Sequence, residues 1–143
     1  MKVGDSFDRP QSSFLLLEKD FEKIFNLMLT NPRLLKLLYY REANALSQPN
    51  LTMEQKMGLL NHEIKIVPKL DINKECPIYV VISFDNFIPN VSNPEFRDCT
   101  VNFDILCHPD HWNMGDFQFR PYKIAGELDA MFNKRKMTGI GEL

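Results

Sequence analysis

The hydrophobic rhythm of the chain changes once, near residue 62, and separates a helical first part from a sheet-forming remainder. From Ser13 to about Thr30, Phe14, Leu17, Phe21, Ile24, Phe25 and Met28 recur at three-to-four spacing. Glu18, Lys19, Glu22 and Lys23 mostly fill the gaps. Residues three and four apart share one helix face, so this spacing predicts an amphipathic helix. Asn31-Pro32 predicts a break and a restart, with Asn as cap and Pro at a first helical position that needs no N–H partner. The next segment, Arg33–Leu46, carries Leu34, Leu35, Leu37, Leu38, Tyr39 and Tyr40. It is apolar over more than one face and is expected to pack on two sides, one of them a partner subunit. Thr52 followed by Gln55 predicts a capping box that opens a short third helix, Met53 to about Leu60.

Period two replaces this pattern after His62. Ile64-Lys65-Ile66-Val67-Pro68 reads as a short strand closed by its proline. Ile78–Phe84 puts Ile78, Val80, Ile82 and Phe84 on one face and Tyr79, Val81 and Ser83 on the other, a strand expected to be covered on both sides. Phe96–Cys107 alternates most clearly: Cys99, Val101, Phe103, Ile105 and Cys107 inward, Asp98, Thr100, Asn102 and Asp104 outward. Asp85–Glu95, with Pro89, Asn90, Asn93 and Pro94, is expected to be a long binding loop. A second loop, His108 to about Phe119, leads into a helix from Arg120 to Asn133. Ile124, Leu128 and Met131 or Phe132 are on its buried side. Lys134-Arg135-Lys136 follows where cations suit the helix dipole. Met137–Leu143 reads as a turn into a short edge strand. The expected fold class is α+β: a small, mostly antiparallel sheet with helices packed on one side. One domain spans 1–143, comprising an extended arm (1–12), a helical part (13–62) and a sheet plus helix (63–143).

Composition sets limits on this picture. A chain of 143 residues, 44% hydrophobic and 25% charged, is long and apolar enough to fold. Seventeen basic and nineteen acidic residues leave a net charge of −2, without the basic surplus of a dedicated nucleic-acid binder. Three cysteines, an odd number at no framework spacing, predict reduced thiols. The longest apolar runs, Phe14–Leu17 and Ile78–Ile82, fall far short of the roughly 20 residues that cross a bilayer. Residues Met1–Pro10 lack the layout of a signal peptide.

Candidate chemistry is sparse. Cys107-His108-Pro109-Asp110-His111 holds a thiol and two imidazoles, residues suited to zinc or to an activated nucleophile. No second half of a ligand set follows, and alternation separates Cys107 from His108, so the expected reading is a buried thiol followed by a solvent-facing loop. Glu63-Ile64-Lys65, with Asp71, Asp85 and Asp104, has residue types of a magnesium-dependent nuclease but not its fuller signature. No glycine-rich phosphate loop opens a helix. Trp112, which lies in the loop between polar residues, reads as a packing lid or an interface anchor. Nothing here composes an active site, a metal site or a cofactor site, and the expectation is a protein that is not an enzyme.

The second half of the chain resembles the tail-terminator or head–tail joining (neck) proteins of long-tailed bacteriophages. The resemblance lies in strand Ile78–Phe84, loop Asp85–Pro94, strand Phe96–Cys107 and the loop with Trp112. It continues through helix Pro121–Phe132, with Ile124-Ala125-x-x-Leu128-Asp129-x-Met131, and the closing Met137-Thr138-Gly139-Ile140-Gly141. It covers about residues 64–143, and such proteins more usually begin with one helix than with two or three. It implies a non-enzymatic virion subunit, assembled in the host cytoplasm into a homo-oligomeric and usually hexameric ring. One ring face would meet the tail-tube protein and the other the connector or neck proteins. DNA would pass through the lumen without specific binding, with no cofactor and no membrane involved. The interface is then expected in the two loops and the terminal strand, through Phe87, Asn90, Arg97, Trp112, Arg120 and Ile140. One rival is a small adaptor or regulatory domain docking through Arg33–Leu46. Another is a metal-dependent enzyme built on Cys107, His108 and His111.

Overall fold

Alternating residues build the sheet as expected. In the computed structural model, which describes residues 13–66, 76–89, 91–92, 97–133, 136–137 and 141–142, β2 (Ile78–Pro89) pairs antiparallel with β3 (Arg97–Cys107). The register sets Ile78 opposite Cys107, Val80 opposite Ile105, Ile82 opposite Phe103 and Phe84 opposite Val101, so the apolar sets of both strands share a face. A two-residue β1 (Ile64–Lys65) adds to the other edge of β2 in parallel, making a mixed sheet of order β1-β2-β3.

The helices cover the apolar face. They are α1 (Ser13–Met28), α2 (Pro32–Tyr39), the five-residue α3 (Met53–Met57) and α4 (Arg120–Phe132). Ile24, Phe25 and Met28 of α1, four leucines of α2, and Ile124, Leu128 and Phe132 of α4 form one core with Ile78, Val80, Ile82 and Cys107. The opposite face of β2 is also closed: Tyr79 and Val81 are buried with Cys76, and Leu106 packs against them. Burial on both faces explains the continuous run Ile78–Ile82. The architecture is α+β.

Several boundaries differ from expectation. Strand β2 continues to Pro89 because a register shift between Asp85 and Ile88 lets pairing resume at Ile88↔Asp98 and Pro89↔Arg97. A bulge of this kind bends a strand without ending it, and Pro89 is tolerated at the last position. The first part of the expected binding loop is therefore strand. Helix α2 ends at Tyr39 rather than Leu46; Tyr40 is extended, and a short 3-10 turn follows at Ala45–Ser47. Leu34, Leu35, Leu37 and Leu38 are all buried inside the chain, so the two-sided apolarity of this segment is satisfied within one subunit. Residues Lys136–Met137 (β4) and Gly141–Glu142 (β5) pair with each other, not with the main sheet. The expected arm over 1–12 and the Val67-Pro68 end of the first strand lie outside the described residues.

The predicted caps form. Asn31 accepts from the Leu34 N–H at 3.1 Å, and Thr52 and Gln55 make a reciprocal capping box. Asn31 also donates to Glu127 of α4 at 3.0 Å, while Arg33 donates to the same carboxylate at 2.9 Å, tying the start of α2 to α4. The Asn31 hydrogen bond, aided by Arg33 and opposed by burial, holds the Glu127 carboxyl below its ordinary value of 4.5. A carboxyl depressed in the folded state stabilises above its unfolded pKa and loses that contribution as pH falls through the folded one. Stability should thus decline below about pH 4.5 by no more than about 1 kcal/mol from this group, because Arg33 is largely exposed. Denaturant melts at pH 7 and pH 3 check this: the pH dependence should shrink by that amount in Glu127→Gln.

Candidate protein interface

The segment between β3 and α4 is short, polar and rigidly built. His108 accepts from the Asp110 N–H and caps a 3-10 turn, Pro109–His111. Trp112 donates its indole N–H to the Cys107 carbonyl at 2.8 Å, closing the loop back onto the end of β3. A backbone bridge joins Asn113 to Phe119, Met114 N–H donates to Gln118 at 2.9 Å, and Gln118 N–H donates to Gly115 at 3.0 Å. The tight turn inside this bridge requires positive φ at two residues, Gly115 (φ 125°) and Phe117 (φ 54°). Glycine accepts such a backbone without penalty, whereas phenylalanine does so at a cost of about 1–2 kcal/mol.

Arg120 anchors the loop from beneath. It sits in the first turn of α4 and is wholly buried. Its Nε donates to His111 O at 2.9 Å. One terminal nitrogen donates to Leu37 O and Tyr40 O at 2.7 and 2.9 Å, the other to Arg41 O and Glu42 O at 3.2 and 2.9 Å. All five N–H donors of the guanidinium are thereby used. Four of these carbonyls come from residues 37–42, the last turn of α2 and the extended stretch that follows it. Burial lowers the Arg120 pKa, but an arginine keeps its charge under these conditions.

Above this anchor, aromatic side chains face outward. Phe117 is 95% exposed and Tyr122 69%, with Trp112 and Phe119 near 40%. Tyr122 meets both Trp112 and Phe119 edge-on, ring centres 6.4 and 6.2 Å apart. A shallow cleft of about 400 Å³ runs among Phe117, Gln118, Phe119, Tyr122 and Lys123. Four large aromatics clustered on this loop and the first turn of α4 form the kind of exposed apolar patch that marks interaction surfaces.

The expected contact residues fare differently. Trp112 belongs to the patch, although its indole is also a bolt within the loop. Arg120 is not surface at all: every donor is spent on backbone inside the chain, which removes the exposure on which its interface role rested. Phe87 is half-buried on β2, beside the bulge, rather than on a loop. Arg97 begins β3, and Asn90 and Ile140 lie outside the described residues. The patch also adds Phe117, Phe119 and Tyr122. The signal for the first two in the sequence is a pair of phenylalanines alternating with Asp116 and Gln118.

Among the described residues, the side chains of Cys107, His108 and His111 do not converge on one point, and Asp71 lies outside the described residues. Cys107 is buried with its thiol toward the His108 carbonyl, 3.5 Å away. The His108 and His111 rings are 6.4 Å apart, and His111 instead meets the Arg41 carbonyl at 3.1 Å. Burial pushes the Cys107 thiol up to about 11. Such a thiol is roughly a hundredfold less ionised at neutral pH than an ordinary one. A chromogenic disulfide reagent should accordingly label exposed Cys99 first and leave Cys107 until unfolding; prompt labelling of Cys107, mapped by peptide mass, would contradict its placement. Glu63 and Lys65 also find separate partners, His62 at 3.0 Å and the face of the Tyr79 ring at 4.1 Å.

A family match covers the patch, its anchor and the sheet together, over residues 31–143. The chain belongs to the YomW family. That name is one of a phage-derived gene family, which agrees with phage origin at this coarser level. The YomW match begins at Asn31, the cap of α2, so α1 precedes it. No curated protein and no solved structure is found to match the chain. Among the described residues, no helix is long and apolar enough to cross a membrane.

Proposed function

We propose that the protein is a structural virion component, a ring-forming subunit of the tail-terminator or neck type that joins phage head to tail. The observation that carries this reading is the aromatic patch of Trp112, Phe117, Phe119 and Tyr122. An isolated subunit gains nothing from holding Phe117 almost fully exposed in a left-handed backbone. Burial against a neighbouring copy gives that arrangement a purpose. The membership in a family of phage-derived name and the α+β layout from β2 to α4 are consistent with it. The near-neutral charge suits a lumen that lets DNA pass, because basic contacts dominate affinity for phosphate.

In this reading the patch of one subunit covers a surface of the next, and the ring stacks between tail-tube and connector proteins. Electron microscopy of the purified protein, alone and mixed with the tail-tube protein of its phage, tests it. Closed rings, or rings capping tubes, are the expected images. Tubes left uncapped and fields without rings would overturn it. The rival adaptor reading loses its proposed docking helix, since the leucines of α2 are consumed in the core. An adaptor would use the same aromatic patch, and subunit count separates the two.

A further inference from the structure

Away from the aromatic patch, three metal-ligating side chains from two separate stretches of chain meet at the start of the sheet. A tight turn precedes β1: Asn61, at φ 63°, donates to Ile64 O at 2.8 Å, and Ile64 N–H donates to Leu59 O at 2.9 Å. This turn sets the His62 and Glu63 side chains together, imidazole Nδ1 to carboxylate at 3.0 Å. Val80 N–H donates to Glu63 O at 2.8 Å, which fixes the turn against the first residues of β2. Cys76 lies just before that strand, buried, with its Sγ 3.2 Å from the His62 carbonyl. The imidazole nitrogen, carboxylate oxygen and thiol sulfur all fall within 4.8 Å of one another.

We infer that His62, Glu63 and Cys76 form a binding site for a zinc-class divalent transition-metal ion. The ligand types fit: borderline-soft zinc takes thiolate, imidazole and carboxylate, and the two anionic ligands balance its charge. The Glu63 side chain is only 16% exposed. Its carboxylate lies 3.0 Å from the half-exposed His62 imidazole, a contact that is an ion pair only when that ring is protonated. Glu63 also lines an open cleft of about 450 Å³ with Tyr40, Arg41, Glu42 and Pro77. Burial, and then the Glu63 charge, raise the Cys76 pKa, while Lys65 and Arg41 oppose this. Without metal the sulfur is a thiol; binding forms the sulfur–metal bond as the thiol proton leaves to water, with no change of oxidation state. A bound ion would bolt the 61–64 turn to residue 76.

Cobalt(II) titration of the untagged, reduced full chain tests the site, because cobalt bound to thiolate gives a charge-transfer absorption in the near ultraviolet. One equivalent should saturate the band, and zinc should displace it. Cys76→Ser should abolish it, and His62→Ala, at a half-exposed position, should weaken binding at least about tenfold. Absence of the band in the unaltered protein overturns the inference. So does a band that persists in Cys76→Ser, which would assign the metal to another cysteine. If Cys76→Ser does not fold, unchanged affinity in His62→Ala overturns it equally.

Discussion

Arg120→Ala is expected to cost about 3–5 kcal/mol of folding stability, the largest single loss at any position outside the apolar core. The arginine is fully buried and donates to five backbone carbonyls, four of them from residues 37–42 where α2 has ended. Glu42 O still accepts from the Ala45 N–H and Arg41 O still meets the His111 ring, but removing the arginine takes the donor from Leu37 O, Tyr40 O and His111 O. Each unsatisfied buried group costs on the order of 1–3 kcal/mol unless water enters. Domains of this size are stable by only about 5–15 kcal/mol, so the variant should be marginal at room temperature. Lysine should recover only part of the loss, having three donors on a point charge instead of five in a fixed fork. Urea denaturation followed by tryptophan fluorescence measures this, since Trp112 shares the loop. A loss under about 1 kcal/mol in Arg120→Ala would mean that water replaces the guanidinium cheaply and that the loop is not anchored as described.

Phe117→Gly should separate folding from assembly. Phe117 is 95% exposed at φ 54°. Glycine at this backbone removes a strain of about 1–2 kcal/mol, partly offset by the greater freedom of the unfolded chain. The subunit should therefore be unchanged or up to about 1 kcal/mol more stable. If the side chain inserts into a neighbouring copy, its loss should weaken association by about 2 kcal/mol or more, roughly thirtyfold, as for a central interface aromatic. Trp112→Ala is a less clean probe, because it also removes the hydrogen bond to the Cys107 carbonyl. A Phe117→Gly variant that associates as strongly as the unaltered protein would show that the patch is not where subunits meet.

What the sequence carried best is local or periodic. Alternation in Ile78–Phe84 and Phe96–Cys107 gave both strands and the shared face that β2 and β3 present to the helices, since period two fixes side-chain direction whatever the partner. Asn31 and the Thr52–Gln55 pair gave two helix starts, because caps are satisfied within a few residues. Features that depend on distant partners were not legible. Arg120 at the head of a helix reads as solvent-facing, and only the fold brings the carbonyls of residues 37–42 around it. The bulge that carries β2 past Asp85 depends on pairing with β3. Phe117 and Phe119 were hidden for another reason: apolar residues in a loop have no period to betray whether they turn inward or out. Cys76 lies apart from the adjacent His62 and Glu63 along the chain, and parallel pairing of β1 with β2 is what brings them together.

The central claim is that this subunit works by joining copies of itself, and the mass of the untagged protein in solution tests it most directly. Native mass spectrometry, with light scattering over a wide concentration range, should give one discrete closed oligomer, expected to be a hexamer. A monomer at every concentration, alone and with tail-tube protein present, would contradict the claim.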